Sequence, residues 1–140
     1  MTDGRWELIP HDADIGVRGI GNTKAQAFEQ AAVGLTAVMT DPASVAARDC
    51  VEIACEAPDD ELLLVNWLNA LIYEIATRKM LFARFEVRME DKKLRARAWG
   101  EPIDVAKHEP AVEIKGATCT NLAVRQNEAG QWSAECVVDV

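Results

Sequence analysis

The chain has 140 residues, 49% of them hydrophobic and 27% charged, which suits one globular domain over residues 1–140 with a core that needs no staples. Its formal net charge of −8 argues against strong direct nucleic-acid binding by the chain as a whole, because phosphate-driven binders carry a basic balance. No apolar run approaches the roughly 18 residues of a membrane helix, and the polar, acid-bearing start is no secretory signal, so no membrane contact and a cytoplasmic compartment are expected.

Arg5 to Ile9 reads as a short strand ended by Pro10, and Ile15 to Ile20 as a second strand weakened by glycine. Gly21-Asn22 signals a turn. Thr23 with Gln26 three residues on fits a capping box, which satisfies orphan amides at a helix start. That helix runs to about Met39. Ala27, Phe28, Ala31, Ala32, Leu35, Val38 and Met39 share one face, while Lys24, Gln26, Glu29 and Gln30 face water. Asp41-Pro42 ends it.

Cys50 to Cys55 alternates, with Val51, Ile53 and Cys55 on one side of a strand. Pro58-Asp59-Asp60-Glu61 is an acidic helix start that suits the positive end of the macrodipole. The helix from about Asp60 to Thr77 is apolar on most sides, which predicts a buried, central position. Beyond Met80 the period becomes two. Phe82 to Met89 and Leu94 to Trp99 are strands joined by the Glu90–Lys93 turn. Gly100 to Glu109 reads as an irregular acidic loop, Ala111 to Thr118 and Asn121 to Gln126 as strands, Asn127 to Gly130 as a turn, and Gln131 to Val138 as the last strand. Helices early and strands late predict an α+β fold: two main helices packed in two layers on a mainly antiparallel or mixed sheet.

The two ends of the chain hold the candidate chemistry. His11-Asp12-Ala13-Asp14-Ile15-Gly16 places two carboxylates in a short loop, and the chain closes on Asp139-Val140 with a further carboxylate and the α-carboxyl group. Hard divalent cations prefer such oxygen donors. Linear spacing does not bring the ends together, so their meeting is a spatial hypothesis. The run Cys136-Val137-Val138 reaches almost to the last atom, which suggests a docked terminus, since chain ends fray unless tied down. Glu101 and Asp104 form a second acidic loop. His11 and His108 could move protons but read more simply as hydrogen-bonded loop residues. Lys115 could meet a phosphate or carboxylate, or be an edge charge that discourages aggregation. Cys50, Cys55, Cys119 and Cys136 form no CxxC pair, which argues against a zinc site of the usual spacing. Cys50, Cys55 and Cys136 read as small core residues.

Several blocks in order resemble the archease family. They are His11–Gly16, Gly21 with Ala27-Phe28-Glu29, Leu62-Leu63-Leu64 with Trp67-Leu68-Asn69, Gly100-Glu101, Lys107-His108, Glu113–Thr118 and Val138-Asp139-Val140. Together they cover nearly the whole chain. The resemblance implies an α+β fold and an accessory, non-enzymatic role beside an RtcB-type RNA ligase, which joins tRNA halves or repaired RNA ends using GTP and manganese. Archeases speed guanylylation of that ligase and allow multiple turnovers. The resemblance also implies a metal site on Asp14, Asp139 and the Val140 main-chain oxygen, and a functional lysine at Lys115. Calcium is the expected cation, with magnesium or manganese as replacements. Asp12, His11, Glu101 and His108 are candidates for supporting or partner contacts. Asp12 stands where many archeases have threonine, and Cys119 and Asn121 replace a common tyrosine and histidine. The rival readings are a chaperone-like binding module and an autonomous metal-dependent phosphoesterase.

Overall fold

A computed structural model describes residues 4–140. The fold is α+β, as expected, and its strands divide between two antiparallel sheets. The larger sheet has the order β1 (Arg5–His11), β2 (Asp14–Gly21), β8 (Trp132–Asp139) and β6 (Gly116–Ala117), with β7 (Ala123–Gln126) also paired to β8. The smaller has the order β3 (Asp49–Glu56), β5 (Lys93–Pro102) and β4 (Met80–Glu90). The helices pack against both sheets rather than on one face of a single sheet. Among the described residues no helix is long and apolar enough to cross a membrane.

The helix α1 (Lys24–Met39) lies against β2 on one side and β4 on the other. Thr23 caps it by accepting from the Gln26 N–H at 3.0 Å, and Gln26 Oε1 accepts from the Asn22 N–H at 2.6 Å. A Cβ at Gly19 would sit 2.0 Å from the Ala27 carbonyl oxygen, so only glycine lets β2 approach this helix so closely. The polar side expected to face water is half-buried instead. Glu29 reaches the smaller sheet and accepts from the Val87 N–H at 2.8 Å.

The helix α2 (Asp60–Arg78) is not the central one. It buries Leu63, Leu64, Trp67, Leu68 and Leu71 and leaves Leu62 and Tyr73 exposed. Hydrophobic count misleads here: α1 is enclosed because alanine and glycine let sheets close on it, whereas α2 carries bulk on one stripe. Trp67 fills the core and donates its indole N–H to the Phe28 carbonyl at 3.0 Å, tying the helices together.

Other expectations shift for local reasons. β1 runs through Pro10, because β1 is an edge strand and the missing N–H breaks no central ladder. The expected loop at Gly100–Glu109 continues β5 through Pro102 and then forms a single helical turn, α3 (Val105–His108), capped by Asp104. The expected strand at Ala111–Thr118 shrinks to β6, and residues 109–115 are irregular. Cys50 is exposed, on the outward side of β3, and is not a core residue. Cys55 is half-buried and Cys136 fully so, and burial pushes their thiols up to about 11 and about 12.

Candidate functional site

The register between β2 and β8 builds the tip. Ile15 pairs with Val138, so the next pair out along these antiparallel strands is Asp14 and Asp139. Side chains alternate across a sheet. Val17 and Cys136, a buried pair, face inward, which sets Asp14 and Asp139 together on the outer face. On its other side Asp139 pairs with Gly116, and its carbonyl accepts from the Lys115 N–H at 2.8 Å. Thr118 adds a second clamp through its N–H and hydroxyl, 3.0 and 2.8 Å from the Val137 carbonyl. Val140 is half-buried and packs on the core. The strand end is therefore docked on both flanks, as its apolar run suggested.

Among the described residues, the side chains of Asp12, Asp14, Lys115 and Asp139 make no ion pair or hydrogen bond. Two carboxylates directly across a strand pair repel, which destabilises the pairing unless a cation intervenes. Their oxygens are the hard donors that calcium or magnesium takes, so the residues present fit such an ion. The set is sparse: among the described residues no three His, Cys, Asp or Glu side chains gather closely enough to hold a metal. Asp12 and His11 thus do not complete a cage. His11 is half-buried and pairs with Asp14 across the β1–β2 hairpin, and Asp12 sits exposed in its turn at φ 51°. A positive φ at this position is what a two-residue hairpin loop asks for.

Glu101 and His108 come together elsewhere, in a buried knot. Glu101 is 5% exposed. Its Oε2 accepts from the Ala46 N–H at 2.8 Å and the Lys107 ammonium at 2.6 Å, and lies 2.9 Å from His108 Nε2. The Ala46 amide, then Lys107 and His108, lower the carboxyl to about 2. His108 Nδ1 accepts from the Asp104 N–H at 2.9 Å, so the ring proton sits on Nε2 and is donated to Glu101. The His108 carbonyl accepts from the Thr40 hydroxyl, and the Ala111 N–H donates to the Met39 carbonyl at 2.8 Å. The knot is thereby fixed to the C-terminal end of α1. That end points toward Asp14, since Gly21 abuts Gln26 while Val17 abuts Gly34 along the same pair of elements. From this anchor residues 109–115 run to Lys115 and Asp139. Glu101 and His108 hold the segment that completes the tip.

Asn69 was not singled out by sequence reasoning as a site residue. From α2 its Oδ1 accepts from the Ala117 N–H at 2.9 Å and pins β6, hence the Gly116 flank of Asp139. Amides within an apolar helical run, here Asn66 and Asn69, are the signal that marks it.

Comparison with known proteins agrees with this architecture. Residues 6–140 match the Archease protein family (MTH1598/TM1083). The chain belongs to the archease family. A protein archease of Thermococcus gammatolerans is 39% identical, covering 97% of this chain and 99% of its own, and one of Pyrococcus abyssi is 36% identical over the same shares. The solution structure of Methanobacterium thermoautotrophicum protein 1598 superposes with a TM-score of 0.84 at 29% identity, covering 96% of this archease and 98% of that chain. A Thermotoga maritima crystal structure, described as an archease and possible chaperone, shares the fold at a TM-score of 0.59 and 18% identity, with 96% of each chain covered.

Proposed function

We propose that this archease is an accessory protein of an RtcB-type RNA ligase, serving tRNA splicing or RNA repair, and that its tip promotes guanylylation and multiple turnover of that ligase. The observation that carries this reading is the register that sets Asp14 against Asp139, with neither carboxylate met by a cation among the described residues. These two side chains and the Val140 main-chain oxygen would hold a divalent cation, calcium first, with magnesium or manganese as replacements. Bound there, the cation supplies positive charge that triphosphate oxygens can share. Calcium takes six to eight oxygens, more than these two carboxylates and one main-chain oxygen offer, so groups of the ligase or its nucleotide would fill the outward positions. Lys115, its main chain bonded to Asp139 and its ammonium exposed, stands ready to meet a phosphate or a partner carboxylate. Acceleration then comes from positioning and electrostatics inside the ligase.

The test is a guanylylation time course of the ligase with and without this protein. Stimulation by the unaltered chain should fall on the order of 10²-fold with Asp14→Ala or Asp139→Ala. Full stimulation by both variants would remove the tip from the mechanism. A second reading, the chaperone-like module, draws on α2, where Leu62 is 38% and Tyr73 66% exposed. Asn66 and Asn69, exposed on the same side, interrupt that surface. Protection of unrelated clients from aggregation would favour it.

A further inference from the structure

The outer face of the larger sheet carries a second feature, at the end remote from Asp14. There β1, β2, β8 and the 121–127 segment enclose a groove of about 760 Å³. Two cross-strand rows define it. In the first, Arg18 lies between Glu7 and Glu135, with Nη1 3.0 Å from Glu7 and Nε 2.7 Å from Glu135. Arg18 is shared between the two glutamates, so its guanidinium is engaged and this row keeps one net negative charge. In the second row Arg5 pairs with Ile20, Ile20 with Ser133, and Ser133 with Arg125. Arg5 and Arg125 thus stand exposed on opposite walls, with no acidic partner among the described residues. Ile20, 6% exposed, is a low floor between them and offers no counter-charge.

The groove is net positive in a chain whose net charge is −8. Guanidinium forks match phosphate oxygens in a bidentate manner, and hydroxyl and amide side chains such as Ser133 and Asn121 are the neutral groups that hold phosphate and sugar. No aromatic ring lines it, so it lacks a platform for stacking bases. Its volume falls in the range of a site for a nucleotide-sized ligand. We propose that this groove binds phosphate groups through Arg5 and Arg125, with Arg18 held rigid beneath them, and that the ligand is a nucleoside polyphosphate or the backbone of a short single-stranded RNA. The rows of Asp14 and Ile20 lie six residues apart on β2, roughly 20 Å, so the groove is a separate site on the face that carries the tip.

The test uses the protein alone, so its failure would leave the ligase reading standing. Fluorescence anisotropy follows a labelled octauridylate, and calorimetry follows inorganic pyrophosphate. Saturable binding of at least one probe is expected, weakening steeply between ~50 mM and ~200 mM salt. The double variant Arg5→Ala/Arg125→Ala should weaken it about tenfold, while Arg97→Ala, on the outer face of the smaller sheet, should leave it unchanged. Binding of pyrophosphate identifies a small polyphosphate ligand, and binding of the oligonucleotide alone identifies an RNA backbone. No saturable binding of either probe at ~50 mM salt, or equal weakening by Arg97→Ala, would overturn the proposal.

Discussion

Two acidic centres lie at the same end of this archease, and they handle charge in opposite ways. Glu101 is buried and fully partnered, by an amide, an ammonium and an imidazole. Asp14 and Asp139 lie opposite each other at the rim with no cation or donor among the described residues. A carboxylate satisfied on every side holds structure. A pair left to repel gives up stability and leaves oxygens available to something outside the chain. The knot also steadies the tip, because residues 109–115 leave His108 and deliver Lys115 to the Asp139 carbonyl.

Breaking the knot should have the larger effects. A Cβ at Gly100 would lie 1.8 Å from the Leu81 carbonyl oxygen, where backbone cannot yield cheaply. Gly100→Ala should cost more than about 4 kcal/mol in chemical denaturation, the range reserved for a core clash. Glu101→Gln should come next, and its signature is in acid. The folded carboxyl is lowered from 4.5 to about 2, so Glu101 stabilises the fold fully above its ordinary value and loses that contribution as pH falls toward 2. Melting temperatures from pH 6 down should show a shallower decline in the variant. The smallest change has the opposite sign. In a chelator, Asp14→Asn or Asp139→Asn should raise stability by about 0.2–1 kcal/mol, by removing like charges set across a strand pair. A loss of stability from either variant would mean the tip carboxylates are structural, like Glu101.

Legibility in sequence followed how local the cause was. The Thr23 cap, the alternation in β3, β4 and β5, and the turns at Glu90–Lys93 and Asn127–Gly130 rest on a few neighbouring residues, and the structure has them. The placement of α1 over α2 depends on sheets closing around alanine and glycine, which residue hydrophobicity does not reveal. The knot reads in sequence as an irregular acidic loop, because two contacts that fix it, the Ala46 amide on Glu101 and the Thr40 hydroxyl on the His108 carbonyl, come from residues remote in sequence. Asp14 and Asp139 were paired from the family resemblance, and the β2–β8 register supplies the physical reason they adjoin. The groove between Arg5 and Arg125 went unread, since it arises only when four strands align.

The most direct test of the central claim is calcium binding by calorimetry on the isolated protein. The account predicts one site, lost with Asp14→Asn and with Asp139→Asn, and a rise in stability of about 2.7 kcal/mol at a hundred times the dissociation constant for the unaltered chain only. Binding that survives both substitutions, or no binding of calcium, magnesium or manganese by the unaltered chain, would contradict it.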